Sequence, residues 1–240
     1  MKFINRLKYF LIGFGLGLII VFFIFRDRKW DWLPNNRVIN FIIDHPIHIN
    51  DSSLLIINNN INKKIFSTII NGDVDFSNSD TKGIIKTYLI KHEENNLHIS
   101  VSFQDSISQL IGFNENVFSS KSKLDRNSPL IHMPDETYFS MVKDKEKKLT
   151  NLFKCQLKKY DLTENQFINH FEFSIINWEL SSPYKYPNPL FISIYDLNPN
   201  YYSVLFEEGS ERIRLKNIVK ISKDKIDDDI LSKLNTENCN

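Results

Sequence analysis

The sequence contains no alanine, and it has only two cysteines and seven glycines among 240 residues. Two cysteines exclude a dense disulfide framework. The few glycines form no phosphate-binding loop after a strand, and there is no GxSxG, HExxH or EF-hand motif. We therefore assign no catalytic residue, no metal and no cofactor from motifs.

The two cysteines, Cys155 and Cys239, have neither CxxC spacing nor a catalytic context. Cys239 is the next-to-last residue, where a chain end is usually frayed. A disulfide between them is possible, but we do not expect one. Cysteine usage therefore leaves the redox compartment open.

Charge is distributed unevenly along the chain. The whole chain has 30 basic and 29 acidic residues, and residues 1–29 contain six of the basic ones and one acidic one. The remaining 24 basic and 28 acidic residues give the rest of the chain a net charge of −4. Nucleic-acid binding needs a basic surface, so we expect no nucleic-acid partner.

An uncharged run near the start of the chain extends from Tyr9 to Phe25, and the apolar stretch begins at Leu7. As a helix, ~19 residues would span about 28 Å, close to the thickness of the hydrocarbon layer. The pattern predicts a single transmembrane helix. A cleaved signal peptide is the alternative, but phenylalanines stand where small residues would mark a cleavage site.

Residues beside and within this helix suggest further roles. Trp30 and Trp32 follow it and are predicted to lie at the membrane interface, or equally to pack into the soluble region. Gly13 and Gly17 form a GxxxG pair, which would let two helices approach closely and form a homodimer. Glycine is also common in membrane helices without any such role.

The basic residues on the two sides of the apolar run are nearly balanced. A short basic N-terminal tail usually stays in the cytoplasm. We therefore predict a single-pass membrane protein with a cytoplasmic N-terminus and its soluble region outside the cytoplasm, in the periplasm. The opposite orientation remains the alternative.

The soluble region shows weak internal similarity. PIHINDSS (46–53) matches PLIHMPDET (129–137), INGDVDFSNS (70–79) matches IINWELSSP (175–183), and HISVSF (98–103) matches YYSVLF (201–206). In this alignment His48 falls on His132, and Asp75 falls on Glu179. Matches in the same order indicate a tandem duplication.

The predicted fold class is α+β, with two divergent helix-on-antiparallel-sheet modules behind the membrane helix. Apolar residues recur at helical spacing from Ile61 to Ile69 and from Phe167 to Ile175, with Thr163 or Asp161 as a cap. The predicted segments are an anchor (1–29), a membrane-proximal linker or helix (30–45), a first module (46–118), a second module (129–222) with a helical insertion over Glu136–Lys159, and a C-terminal helix and tail (223–240).

Two motifs carry a resemblance to a known family. WDWLPNNRVINFI (30–42) and GDVDFSNSDTK (72–82), behind a membrane helix, resemble a family of uncharacterised bacterial membrane proteins over residues 1–113. Its small domain of unknown function is distantly similar to the BrnT and RelE ribonuclease toxins, and implies a helix packed on a short antiparallel sheet. Arg212 and Arg214 match the paired arginines of the toxins' last strand, where the first copy has Ser106 and Ser108.

Two histidine–carboxylate pairs are the candidate binding residues: His48 with Asp51, and His132 with Asp135. A histidine near a carboxylate can bind a metal or act as a base. The simpler interpretation makes Asp51 and Asp135 helix N-caps. Asp73 and Asp75 would share one face of a strand, and there the simpler interpretation is a solvated edge.

The leading hypothesis for function is a non-enzymatic envelope protein that binds an unidentified protein partner. The second is a membrane-tethered, toxin-like ribonuclease, or its degenerate relative, in which Arg212 and Arg214 would act. The third is a small-ligand or metal binder that uses His48 and His132. Compartment separates the first two, because RNA is found in the cytoplasm.

Overall fold

The computed structural model describes residues 2–26, 32–50, 57–117, 124–197, 199–222, 229–236 and 239. The chain forms two compact units, residues 1–40 and 41–240. Helix α1 (Lys2–Arg26) makes up most of the first unit, and helix α2 (Pro34–Asp44) crosses the boundary between the units.

The described side chains of α1 run from Arg6 to Phe22, and its large apolar residues are exposed, for example Phe10 at 66% and Leu11 at 56%. A Cβ placed on Gly13 would meet no atom within 4 Å, and Gly17 is equally open. Among the residues that the structure describes, no helix is both long enough and apolar enough to cross a membrane. Trp32 is 67% exposed, and Trp30 lies outside the described residues.

The second unit has an α+β fold with two mixed sheets, which confirms the predicted fold class at that level. Its elements follow in chain order: β1 (Ile47–His48), α3 (Asn59–Asn71), β2 (Asp73–Val74), β3 (Ile85–His92), β4 (Asn95–Ser102), β5 (Ile107–Phe113), β6 (Asn116–Val117), α4 (Asp135–Val142), β7 (Glu146–Leu149), α5 (Asn151–Lys159), α6 (Glu164–Asn169), a 3₁₀ turn (Phe171–Phe173), β8 (Ile175–Ile176), β9 (Leu190–Leu197), β10 (Asn200–Glu208), β11 (Arg212–Ile221) and α7 (Asp229–Thr236).

The two sheets share one strand order. The first sheet runs β1-β5-β4-β3-β2, with β6 pairing the end of β5, and the second runs β7-β11-β10-β9-β8. In each sheet the first strand in the chain pairs in parallel with the last strand of a three-stranded antiparallel meander. A parallel pair needs a long connection between its strands, and in both sheets that connection carries helix.

Both sheets also have a bulge at the same place. The register between β4 and β5 shifts between His98 and Ile99, which leaves Ile111 as an extra residue on β5. The register between β10 and β11 shifts between Leu205 and Phe206, which leaves Lys216 as the extra residue on β11. A bulge bends a strand and increases its twist, so the two meanders twist at the same point.

The chain leaves the edge strand of the first sheet through a defined turn. The backbone N–H of Asp75 donates to the carbonyl of Leu89 at 2.8 Å. Ser79 Oγ donates to the carbonyl of Asp75 at 2.6 Å and accepts from the N–H of Leu89 at 3.0 Å. One hydroxyl therefore ties the turn to β3.

The second sheet repeats this turn. The N–H of Asn177 donates to the carbonyl of Ile192 at 2.8 Å. Ser181 Oγ donates to the carbonyl of Asn177 at 2.5 Å and accepts from the N–H of Ile192 at 2.9 Å. Asn177 thus occupies the place of Asp75, and the predicted match of Asp75 with Glu179 is wrong by two residues.

Helices follow the first strand of each sheet. Ile65 and Ile69 of α3 are fully buried, as their helical spacing predicts, and Phe167 and Phe171 are fully buried in the second sheet's core. Thr163 caps α6 by accepting from the N–H of Gln166 at 3.2 Å, which confirms the predicted cap. The predicted helix does not reach Ile175, because the chain first turns through 3₁₀ geometry into β8.

The single helix predicted over Glu136–Lys159 is wrong. This region forms α4, then strand β7, then α5, and β7 pairs in parallel with β11. Strand β1 pairs Ile47 with Ser108, and β7 pairs Lys147 with Ile213, so the counterpart of His48 is Lys148. The predicted equivalence of His48 and His132 is therefore also wrong.

The edge of β11 that β7 leaves open is covered by side chains and by helix α7. Strand β7 covers β11 only as far as Leu215. Beyond it, the N–H of Ile218 donates to Gln156 Oε1 at 3.0 Å, and Asn217 Nδ2 donates to the carbonyl of Leu234 on α7. Helix α7 packs Ile230 and Leu234 against Ile192, Val219 and Ile221.

Cys155 on α5 and Cys239 after α7 form a disulfide, with Cα atoms 6.0 Å apart. The sequence-based expectation of two unpaired cysteines is therefore wrong. The C-terminal helix predicted from residue 223 is described from Asp229 to Thr236, and residues 223–228 lie outside the description. The bond fixes the end of the chain to α5.

Candidate ligand-binding cavity

The chain between the two sheets is described over residues 124–134, which we call the connector. The N–H of Ile49 donates to the carbonyl of Pro129 at 2.8 Å, and the N–H of Ile131 donates to the carbonyl of Ile47 at 3.0 Å. The connector therefore extends the first sheet beside β1. Pro134, with φ −58°, then leads into α4, whose buried residues belong to the second sheet's core.

A cavity of about 510 Å³ opens where this connector passes α3. We call it the His132 cavity. It is lined by residues from three parts of the chain: the first turn of α3, the connector with the start of α4, and the turn after β8. The lining residues used below are Asn62, Lys63, His132, Met133, Asp135, Glu136 and Trp178.

His132 is one of the residues that line this cavity. Its ring stacks on the indole of Trp178, with centroids 5.3 Å apart and planes 13° apart. Its Nδ1 atom is buried and has no hydrogen-bond partner among the described residues. Burial lowers the pKa of His132 against the opposing effect of the Glu179 carboxylate, so the ring is neutral at pH 7.

Asn62 lies opposite, on α3. Its Nδ2 donates to the carbonyl of His132 at 3.0 Å, which fixes the orientation of the amide. Its Oδ1 atom is also buried without a partner in the described part of the chain. Leaving a buried polar atom without a partner is costly, so the two such atoms beside this cavity are candidates for hydrogen bonds to a ligand or an ordered water.

Asp135 organises the other side of the cavity. Its carboxylate accepts from the indole N–H of Trp178 at 3.1 Å and from the backbone N–H of Ile176 at 3.2 Å. Burial raises the pKa of Asp135, and these two donors oppose the rise. Its helix begins with Pro134 at the N-cap position, so the predicted role of Asp135 as the N-cap is wrong.

The rim of the cavity carries an ion pair. Lys63 Nζ lies 2.7 Å from Glu136 Oε2, and both side chains are exposed. Exposed pairs of this kind contribute little to stability, about 0–1 kcal/mol. Their effect here is to balance the two charges at the rim.

The structure places the other predicted residues elsewhere. His48 is buried on β1, and its Nδ1 lies 2.9 Å from the carbonyl of Ser128. Asp51 lies outside the described residues. Within the described part of the chain, no group of three or more His, Cys, Asp or Glu side chains is placed to hold a metal ion.

Arg212 and Arg214 lie at the start of β11 and do not line the cavity. Arg214 approaches Glu207 at 3.6 Å, and the same carboxylate binds Lys216 at 2.7 Å. The hydrogen bond from Lys216 is the main reason that the pKa of Glu207 is lowered. Part of the charge of Arg214 is therefore balanced within the sheet.

Sequence reasoning found His132 and Asp135 but missed Asn62 and Trp178. Asn62 is one of many asparagines and has no distinguishing pattern. Trp178 is one of three tryptophans, and the other two follow the predicted anchor, so its position far from them in the sequence was a usable signal. Asn62 and Trp178 meet at one cavity only because the connector passes between α3 and the turn after β8.

Three comparisons with known proteins place this chain in no group. No family model matches it, and no curated protein or solved structure is significantly similar to it.

Proposed function

We propose that this chain is a membrane-anchored, non-enzymatic binding protein, with residues 41–240 outside the cytoplasm and the His132 cavity as its binding site. The observation that carries the proposal is the pair of unpartnered polar atoms, Asn62 Oδ1 and His132 Nδ1, buried beside an open cavity. Such atoms are usually satisfied by a partner that a bare chain lacks.

Helix α1 supports attachment to a membrane. Its apolar side chains are exposed all round the helix, and a helix that is apolar all round needs an apolar environment. The described side chains end at Phe22, whereas the uncharged run of the sequence continues to Phe25. We infer that the run from Leu7 to Phe25 is the membrane anchor.

The disulfide supports an orientation. Disulfides persist in oxidising compartments such as the bacterial periplasm, and they are rare in the cytoplasm. Cys155 and Cys239 form such a bond across 84 residues of the chain. This agrees with a soluble region outside the cytoplasm.

The shared strand order, the matching bulges and the repeated turn support a tandem duplication of one module. The cavity lies at the junction of the two copies, because the connector reaches both sheets. We infer that binding arose at the junction and not within either copy.

The contacts of Asp135 give it a structural role in the wall of the cavity. Its two oxygens accept hydrogen bonds from the backbone N–H of Ile176 and from the indole of Trp178. These bonds hold the turn after β8 against the start of α4.

A topology experiment tests the proposal. Full-length chain, expressed in bacteria, would carry at its C-terminus a reporter enzyme that is active only outside the cytoplasm. A matched fusion would carry a fluorescent protein that is active only inside. We expect activity from the first fusion and none from the second.

A second measurement examines the cysteines of the untagged chain. Cells are treated with acid to quench thiol exchange, and the chain is labelled with a maleimide polymer before and after reduction. We expect labelling of Cys155 and Cys239 only after reduction. Cytoplasmic fluorescence with two free thiols would reject the proposed location, and ribonuclease activity abolished by Arg212→Ala would replace the proposed function.

A further inference from the structure

We propose that the His132 cavity binds a neutral, hydroxyl-rich ligand of the size of a mono- or disaccharide. This inference rests on the proposed function, because it assigns a ligand class to the same binding site. It follows from the hydrogen-bonding requirements, the charge balance and the apolar wall of the cavity.

The two unpartnered atoms define the polar chemistry. Because Nδ2 of Asn62 faces the carbonyl of His132, its Oδ1 needs a hydrogen-bond donor. Nδ1 of a neutral histidine is a donor in one tautomer and an acceptor in the other. A hydroxyl group can donate to Asn62 and can satisfy His132 in either tautomer, since a hydroxyl both donates and accepts.

The charges around the cavity disfavour an anion as the ligand. The ammonium of Lys63 is paired with Glu136 at the rim, and the two donors that hold the carboxylate of Asp135, the N–H groups of Ile176 and Trp178, are neutral and leave its negative charge unbalanced. An anionic ligand would therefore meet Asp135 without an uncommitted cation among the described lining residues. Burying an unpaired charge is far more costly than burying a hydroxyl that is hydrogen-bonded.

The wall beside these polar atoms is apolar. Trp178 and Met133 line the cavity and are only partly buried. The C–H surface of a sugar ring can pack against such side chains, while its hydroxyls bind Asn62 and His132. A volume of about 510 Å³ is within the range of ordinary small-molecule sites.

The experiment uses full-length chain in phosphatidylcholine nanodiscs, because alkyl maltoside detergents carry a sugar that would compete. Saturation-transfer difference NMR would measure binding of three sets of probes. These are neutral disaccharides (cellobiose, maltose and N,N′-diacetylchitobiose), zwitterionic dipeptides, and small phosphate and carboxylate anions. We expect binding from at least one disaccharide and none from the other two sets.

Four variants locate the binding. Asn62→Leu removes the acceptor, and His132→Phe removes the ring nitrogen while keeping a ring to stack on Trp178. The matched controls are Asn71→Leu, exposed at the end of the same helix, and His170→Phe, an exposed histidine on the second sheet's side. Loss of one hydrogen bond is expected to weaken binding about five- to tenfold in each test variant, with no change in the controls.

A second experiment distinguishes a free sugar from a polysaccharide chain as the source of the bound hydroxyl groups. Retention of the nanodiscs on insoluble chitin or cellulose, reversed by the soluble disaccharide and lost in Asn62→Leu, identifies a polysaccharide chain. Binding of soluble disaccharide without retention identifies a free sugar. Both results support the proposal.

Two outcomes overturn it. Binding of a dipeptide or anion that is weakened by Asn62→Leu would reject the ligand class while leaving the cavity as a binding site. Absence of binding in all three sets would reject both the ligand class and the cavity as the site. Circular dichroism of each variant shows that a loss of binding is not a loss of folding.

Discussion

The two sheets share one backbone plan but fill it with different side chains. Beneath the first sheet, one helix of 13 residues packs isoleucines, including Ile65 and Ile69, against the strands. The second sheet has shorter helical pieces and a core of packed aromatic rings, in which Phe206 stacks on Phe191 and meets Phe171 edge to face. The comparison teaches that aromatic side chains can fill the core beneath a sheet where less helix covers it, with the strand order and the bulge unchanged.

The strongest test of this comparison truncates the residues that follow the bulges. Phe206 and Ile99 occupy matching positions and are both fully buried. We expect Phe206→Ala to cost about 3–5 kcal/mol and Ile99→Ala about 2–4 kcal/mol, because the larger side chain leaves the larger cavity. Urea unfolding followed by circular dichroism measures both, and a greater loss in Ile99→Ala would contradict the proposed equivalence.

The disulfide lies beside the second sheet only, and its removal is expected to have the next largest effect on the free energy of unfolding. Cys239→Ser is expected to lower the free energy of unfolding by about 2–4 kcal/mol, because the bond closes a long loop. Thermal melting with and without a reductant measures the effect. The reductant should lower the melting temperature of the wild type and leave that of Cys239→Ser unchanged; a variant that still responds would disprove the pairing.

The repeated turn predicts a matched pair of smaller effects. Ser79→Ala and Ser181→Ala each remove a hydroxyl that donates to one backbone group and accepts from another. We expect about 1–2 kcal/mol from each, with a difference under about 0.5 kcal/mol. Chemical unfolding of the two variants compares them, and a large effect at only one turn would show that the turns are not equivalent.

The smallest effect is expected at the junction between the sheets. His132→Phe removes an unpartnered nitrogen, so stability at pH 7 should stay equal or rise by up to about 1 kcal/mol. The pKa of His132 is lowered in the folded chain, so the unfolded chain takes up a proton first as the pH falls below 6.5. The wild type should therefore lose stability from pH 6.5 downward, relative to the variant.

Melting temperatures of both proteins between pH 7.5 and 5 measure this difference. His170→Phe is the control, because His170 is exposed and its Nδ1 already lies 2.8 Å from the carbonyl of Gln166. Parallel pH profiles for wild type and His132→Phe would show that His132 is not the responsible group.

The sequence predicted much of the meanders because their strands and helices have clear periodicity. The match of residues 98–103 with 201–206 found the equivalent strands β4 and β10, but it is wrong by four residues, because Leu89 pairs with His98 and its counterpart Ile192 pairs with Leu205. The cap Thr163 and the apolar spacing of the helices were readable from the sequence. It did not predict β7, because EKKL (146–149) is mostly charged and contributes only one buried residue at a sheet edge. Local pattern there favours helix, and only the pairing with β11 makes it a strand.

The cavity could be predicted only in part. His132 and Asp135 were visible as a pair in the sequence. Asn62 reaches His132 only because the connector lies beside β1, where His48 contacts Ser128, a residue 80 positions later in the chain. The disulfide was equally hidden, since two cysteines 84 residues apart carry no spacing signal. Contacts that depend on the path of the chain through the fold leave no pattern in the local sequence.

The covering of the β11 edge has a consequence for the behaviour of the protein at high concentration. An uncovered strand edge is a template on which other chains can add strands and aggregate. Here Gln156, Asn217 and α7 occupy the part of that edge that β7 leaves open, and the bond to Cys239 keeps α7 in place. The segment from α7 to Cys239 therefore covers backbone groups with which another chain could otherwise pair.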